Sequence, residues 1–259
     1  MSLVLAEQHG AVRHVVLNRP EKRNAFNADL VLAVGEALRA AADDPETRCV
    51  VLRGGGPMFS SGMDLGALAD LGARPEHLRP FRRACIEAWN LAESMEKPVV
   101  AQLQGACIGG ALELALACDL RVAAEGTVLG MPEVRLGLIP DVGGSSRLPQ
   151  VVGLGRAKEL VMTGKLVDAA EAERIGLVNR VAPAADLEAA TQGLVDELAA
   201  CAPVAVGLVK RVLDASARPA LSATLELEVA LQERCAHTQD FAEGARAMTE
   251  RRPPEFAGR

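Results

Sequence analysis

The stretch Pro98-Val-Val-Ala-Gln-Leu-Gln-Gly-Ala-Cys-Ile-Gly-Gly-Ala-Leu-Glu-Leu-Ala-Leu-Ala-Cys-Asp-Leu-Arg-Val-Ala123 reads as strand, helix, strand. Pro98 to Leu103 is a short apolar, β-branched run. Gly109-Gly110 can open a helix through Ala117, and Asp119 to Ala123 returns as a strand. Working toward the N-terminus, the same alternation recurs. Val12 to Leu17 predicts a strand ending at Asn18-Arg19-Pro20. Asn27 is placed to cap a helix through about Ala42, with Leu30, Val31, Val34, Leu38 and Ala41 on one face. Cys49 to Arg53 predicts another strand, stopped by Gly54-Gly-Gly-Pro57, and a helix is expected over Pro75 to Ser94. Strands alternating with helices indicate an α/β fold.

Toward the C-terminus the pattern changes. Asp168 can cap a helix over Ala169 to Ile175, with Gly176 as its stop, before a strand at Leu177 to Val181. From about Asp186 no strand pattern remains. Val204, Leu208, Val212 and Leu213 recur at helical spacing opposite Lys210 and Arg211, and a second helical run covers Leu221 to Cys235. The expected organisation is a core over residues 1–195 and an all-helical lid or assembly module over residues 196–259.

Composition excludes several function classes. A net charge of -6 and the lack of a long basic run argue against a nucleic-acid surface. Aromatic residues are 2% of the chain, too few for base-stacking platforms. No apolar run is long enough to span a membrane, and the first residues carry no basic leader of a signal peptide. Cys49, Cys85, Cys107, Cys118, Cys201 and Cys235 form no CxxC pair and read as reduced, buried residues of a cytoplasmic protein. Its histidines have no metal-ligand spacing, and no Walker, dinucleotide or GxSxG fingerprint occurs.

Two carboxylates stand out. Glu113 lies within Ala111-Leu-Glu-Leu-Ala115, and Glu133 within Gly130-Met-Pro-Glu-Val-Arg-Leu-Gly-Leu-Ile-Pro-Asp141-Val-Gly-Gly144. Apolar surroundings desolvate a carboxylate and make it a usable acid or base near neutral pH. The plainer reading of Glu113 is a first-turn acid favoured by the helix dipole, and that of Glu133 is an ion pair with Arg135 or Arg147. Gly109-Gly110 at a helix start exposes N–H groups that suit an oxyanion, although close packing alone would use the same glycines. In Phe59-Ser-Ser-Gly-Met-Asp-Leu65, Gly62 can supply a tight turn, and Asp64 can cap the next helix. The functional reading of that loop has the Met63 N–H donating to a ligand. Asp141, after Pro140, reads locally as a turn residue.

At these residues the chain resembles the crotonase superfamily, specifically the enoyl-CoA hydratase/isomerase family. The likeness rests on Leu17-Asn-Arg-Pro20, Asn24-Ala-Phe-Asn27, Phe59 to Asp64, Gly105 to Asp119, the stretch from Met131-Pro-Glu133 to Arg147-Leu-Pro149, Thr163-Gly164, Ala169 to Val181 and Pro254 to Arg259. The resemblance implies a spiral of β-β-α units with a C-terminal helical domain that builds homotrimers or dimers of trimers. It implies an oxyanion hole from the Met63 and Gly110 N–H groups, with acyl-CoA contacts at Lys22, Arg23, Ala25, Ser61, Asp64 and Leu65. The substrate would be a CoA thioester, and no cofactor or metal would be needed. Glu113, kept ionised by its helix N-terminus, would deliver water to C3 of a 2-enoyl-CoA, and Glu133 would protonate C2. Most hydratases of this kind carry Gly where Asp141 stands. An Asp there resembles the dienoyl-CoA isomerases and makes isomerisation by Glu133 and Asp141 the alternative. A non-catalytic acyl-CoA-binding protein is a third possibility, against which the retention of both glutamates argues.

Overall fold

The structure is a computed structural model and describes residues 2–64, 66–67, 77–136, 138–217, 239–240, 243, 250, 252 and 255–259. The apolar runs read from the sequence become a sheet buried on both faces. Strands β1 (Val4–His9), β2 (Val12–Leu17), β3 (Cys49–Gly54), β4 (Val99–Leu103), β6 (Leu120–Ala124) and β9 (Arg180–Ala182) pair in that order. Only β1 and β2 run antiparallel, in register Val4 to Leu17; the other neighbours are parallel. Near-continuous burial of β2 and β3 is what parallel central strands require. A smaller sheet holds β5 (Ala106–Ile108), β7 (Val128–Gly130) and β8 (Leu166–Asp168). Consecutive strands β4 and β5, and then β6 and β7, fall in different sheets, so the chain winds as a spiral of β-β-α turns.

Helices fill the space between. Helix α1 (Ala28–Asp43) starts where Asn27 Oδ1 accepts from the Leu30 N–H at 3.0 Å. Helix α2 (Leu78–Ser94) packs beside it, with Trp89 and Phe26 rings 5.2 Å apart. Helix α3 (Gly110–Ala117) is buried on nearly every side. Then come α4 (Gly144–Val152), α5 (Leu154–Thr163), α6 (Ala169–Arg174), α7 (Leu187–Ala199) and α8 (Pro203–Ser216). The main core lies between the large sheet and α1 to α3. On the opposite sheet face Leu187, Leu194 and Val195 of α7 cover Val12, Val51, Val100 and Val122.

Several expectations need correction. Residues 4–9, for which no element was expected, form the edge strand β1, buried at Val4 and largely exposed beyond it, so it has no apolar alternation to read. The expected strand at Leu177 to Val181 begins only at Arg180, since the Leu177 carbonyl and the Asn179 side chain are bonded to Arg121. Helix α7 is continuous through 195/196 and packs on the core sheet, so a division there would cut a core helix. On α8 Leu208 is buried as expected and Val204 and Val212 are half-buried, but Lys210 faces inward beside Leu208, while Leu213 is exposed. Its ammonium pairs with Asp119 at 2.8 Å and donates to the Ala92 carbonyl at 2.8 Å, which burial demands of a charge. Cys201 is exposed, unlike the buried Cys49, Cys85, Cys107 and Cys118. Cys235, the run Leu221 to Cys235 and the first residues of the helix expected from Pro75 lie outside the described residues. Among the described residues no helix is long and apolar enough to cross a membrane.

Candidate active site

Two loops are tied together before any side chain enters the site. Arg23 and Asn24 both adopt the left-handed region, with φ of 55° and 53°, at the end of a short turn over Pro20–Lys22. Such strain persists only where surroundings enforce it. Here the fully buried Asn24 amide donates to the Gly55, Met58 and Phe59 carbonyls at 2.9 to 3.0 Å, while its oxygen accepts from the Arg19 N–H at 2.9 Å. The Ser61 N–H donates to the Arg23 carbonyl, the Phe26 N–H to Gly62 and the Asp64 N–H to Phe26. Together these bonds fix the turn that carries Met63.

The expected substrate contacts sort by surroundings. Lys22 and Arg23 are exposed, Ala25 is buried beside them, and Ser61 lines the cavity between the two loops. The Asp64 carboxylate is occupied. Oδ2 accepts from Arg19 at 2.7 Å, and Oδ1 accepts from the Gly66 and Ala67 N–H groups, which is the capping role its position suggested. Those partners, the Arg19 guanidinium above all, hold its carboxyl below the usual carboxylate range. Leu65 lies outside the described residues.

The cavity encloses about 260 Å³ and brings Met63, Gly110, Glu113, Glu133 and Asp141 together. Phe26, Phe81, Trp89 and Ile139 supply much of its apolar wall. Gly110 is the first residue of α3, so its N–H has no intrahelical acceptor. Neither it nor the Met63 N–H donates to any described residue. The two loops are in contact: Gly62 sits at φ +89°, and a Cβ there would lie 3.7 Å from the Gly110 nitrogen. A Cβ on Gly109 would fall 2.8 Å from Glu133 Oε1, so only glycine leaves room for that carboxylate at the helix start.

Both glutamates are without an ionic partner among the described residues. Arg135 donates instead to the Thr163 carbonyl, and Arg147 to Glu93, which rules out the plain ion-pair reading of Glu133. Glu133 Oε2 is buried with no hydrogen-bond partner among the described residues, and an acceptor left without one costs roughly 1–3 kcal/mol. Glu113 is 3% exposed. Its Oε1 accepts from the Val142 and Gly144 N–H groups at 3.0 and 2.8 Å, while Oε2 has no described donor.

Burial pushes the Glu113 carboxyl up to about 7, against the lowering effect of its two N–H donors, with Glu133 and Asp141 raising it further. The anchoring dipoles belong to the start of α4, and desolvation outweighs them. Burial also raises Glu133, reinforced by the Asp141 charge. Asp141 is raised by burial and pulled back by Arg82, whose Nε lies 3.3 Å from Oδ2 and donates to the Asp141 carbonyl at 2.7 Å. The Cys85 thiol on the same wall is pushed to about 12 and is no nucleophile near neutral pH. No group of His, Cys, Asp and Glu among the described residues could hold a metal ion.

The sequence reading did not single out Arg82, or Val142 and Gly144 as donors. Backbone donors carry no side-chain signature, and Arg82 is one of several arginines on an amphipathic helix.

A sequence model described as enoyl-CoA hydratase/isomerase matches residues 7–259. A probable enoyl-CoA hydratase of Mycobacterium bovis is 33% identical over 256 residues, covering 99% of this chain and 98% of that protein. An enoyl-CoA isomerase/hydratase of Mycosarcoma maydis is 36% identical over 263 residues, covering 96% and 93%. The crystal structure of an enoyl-CoA hydratase from Bacillus anthracis superimposes with a TM-score of 0.94 at 34% identity, covering 99% of this chain and all of that one.

Proposed function

The chain belongs to the enoyl-CoA hydratase/isomerase family, and from that premise we propose that it hydrates the 2,3 double bond of a 2-enoyl-CoA to a 3-hydroxyacyl-CoA. The observation that carries this reading is one cavity holding the buried Glu113 and the half-buried Glu133, neither with an ionic partner among the described residues, beside two backbone N–H groups that donate to no described residue. The Met63 and Gly110 N–H groups converge on the thioester oxygen and stabilise the charge that develops there as C3 becomes electrophilic. Glu113, anchored through Oε1, presents Oε2 to a water and takes its proton as the oxygen attacks C3. Glu133 gives its proton to C2. Carboxyls raised toward neutrality suit both tasks, because each can hold or release a proton at the working pH.

Every group this scheme needs is a side chain or backbone N–H of the chain itself, with the CoA thioester as substrate. Lys22, Arg23, Ala25, Ser61 and Leu65 are assigned to the CoA end, and Asp64 supports them through Arg19. A cytoplasmic homotrimer or dimer of trimers belongs to the same proposal.

Isomerisation is the second reading, and Asp141 favours it. This third acid lines the same cavity and raises Glu133, as a proton relay between two carbons would. Against it, Arg82 occupies the Asp141 carboxylate. The discriminating experiment is a spectrophotometric screen of 2-enoyl-, 3-enoyl- and 3,5-dienoyl-CoA thioesters. Hydration of the first is expected to dominate; binding of all three without turnover would make the chain a non-catalytic acyl-CoA-binding protein.

A further inference from the structure

Glu113 is aimed by backbone, and that backbone is held from behind by a buried charge. Arg147, on α4, is 9% exposed. Its Nη2 donates to Asn90 Oδ1 at 2.7 Å and to Glu93 Oε2 at 2.9 Å, both on α2. Nη1 donates to the Val142 carbonyl at 3.4 Å. The guanidinium packs so closely under Gly143 that a methyl on that residue would overlap Nη1. Val142 and Gly144, which flank this contact, are the two residues whose N–H groups bind Glu113 Oε1. A continuous set of contacts thus runs from Glu93 and Asn90, through Arg147, to the loop that orients the carboxylate.

We propose that Arg147 is a positioning residue for Glu113: braced against Glu93 and Asn90, it fixes the 142–144 backbone so that both N–H groups point at one carboxylate oxygen. It touches neither the substrate nor Glu113. Lysine could not reproduce the role, because a point charge cannot span two acceptors on α2 and a carbonyl on the loop as a planar fork does. The inference rests on the hydratase reading for its kinetic consequence, while its structural part concerns the chain alone.

Among the described residues the charged groups around Glu113 are few. Glu133 approaches from the turn after β7, and Asp141, with Arg82 against it, from the loop before α4. Cys85 on α2 is near but uncharged at neutral pH. Releasing the two N–H donors removes stabilisation of the ionised form, so the Glu113 carboxyl must titrate at higher pH.

The test uses the full-length protein and the variants Arg147→Met, Arg147→Lys and Glu93→Gln. In Arg147→Met, hydration kcat should fall about a hundredfold, as for a reacting group displaced by about 1 Å, with KM changed less than about threefold. The acid limb of the kcat profile should move to higher pH. Arg147→Lys should recover only part of the loss, and Glu93→Gln should show the same changes at smaller size. Carboxyl-carbon NMR, with Glu113 assigned by its absence in Glu113→Gln, should show the same upward movement without any assay of turnover.

A folded Arg147→Met with an unmoved limb and titration, or a loss confined to KM, would overturn the proposal. If Arg147→Met does not fold, Glu93→Gln decides by the same criteria. Should the wild type fail to hydrate any 2-enoyl-CoA while the Glu113 titration still moves, the hydratase reading falls and the positioning role stands.

Discussion

Glu113→Gln separates the cost of this site from its use. Glutamine keeps an oxygen for the Val142 and Gly144 N–H groups and removes a carboxyl that is 3% exposed. In the folded protein that carboxyl rises from its ordinary 4.5 to about 7. Because the folded value lies above the unfolded one, the native state binds the proton more tightly across this window. Wild-type stability therefore falls as pH rises from 4.5 to about 7, and the penalty is complete above it. A tenfold change in proton affinity is worth about 1.4 kcal/mol, so the full penalty is about 3 kcal/mol. Glu113→Gln should match wild type below pH 4.5 and exceed it by about 3 kcal/mol at pH 8, while hydration is largely lost. Urea unfolding of both proteins across that pH range, read by circular dichroism, measures the difference. A stability gap that does not change with pH, or one that favours wild type at pH 8, would refute the claim that desolvation dominates at Glu113.

Three further outcomes are expected. Proline suits the first position of a helix, so Gly110→Pro should leave α3 intact by circular dichroism. Turnover should still fall by about 100- to 1000-fold with the loss of one oxyanion donor, and a folded variant of normal kcat would exclude that donor. Asp141→Asn should keep hydration within a few-fold of wild type, and robust 3-enoyl-CoA isomerisation that disappears in this variant would reverse the assignment. Lys210→Met leaves the Asp119 carboxylate without its buried partner and should destabilise the protein by about 3 kcal/mol in denaturant titrations; a change below about 1 kcal/mol would show that the pair does not hold α8 to the core.

The features legible in the sequence are those set by physics that acts locally. The strands β2, β3, β4 and β6 announce themselves as apolar β-branched runs, and α1 by its Asn27 cap and single apolar face. Three-residue strands such as β5, β7 and β8 are too short to show a period. Helices α4 and α5 were hidden behind a glycine-rich start and an internal Pro149. Burial of Glu113 could be read from its neighbours, since Ala111, Leu112, Leu114 and Ala115 leave it no solvated side. Its anchoring could not, because the donors are peptide N–H groups about thirty residues away in a loop whose path tertiary packing sets. Lys210 shows the same limit. Polarity placed it outside, and a partner ninety residues earlier, Asp119, draws it in.

If Glu113 delivers water to carbon, the oxygen at C3 of the product comes from solvent, and isotope transfer reports it. Wild type and Glu113→Gln would be incubated with a 2-enoyl-CoA in heavy-oxygen water and the products examined by mass spectrometry. The expected wild-type product is a 3-hydroxyacyl-CoA carrying one solvent oxygen at C3, with almost none from the variant. A wild-type product that has moved its double bond without taking up oxygen, or a variant that incorporates oxygen at the wild-type rate, would contradict it.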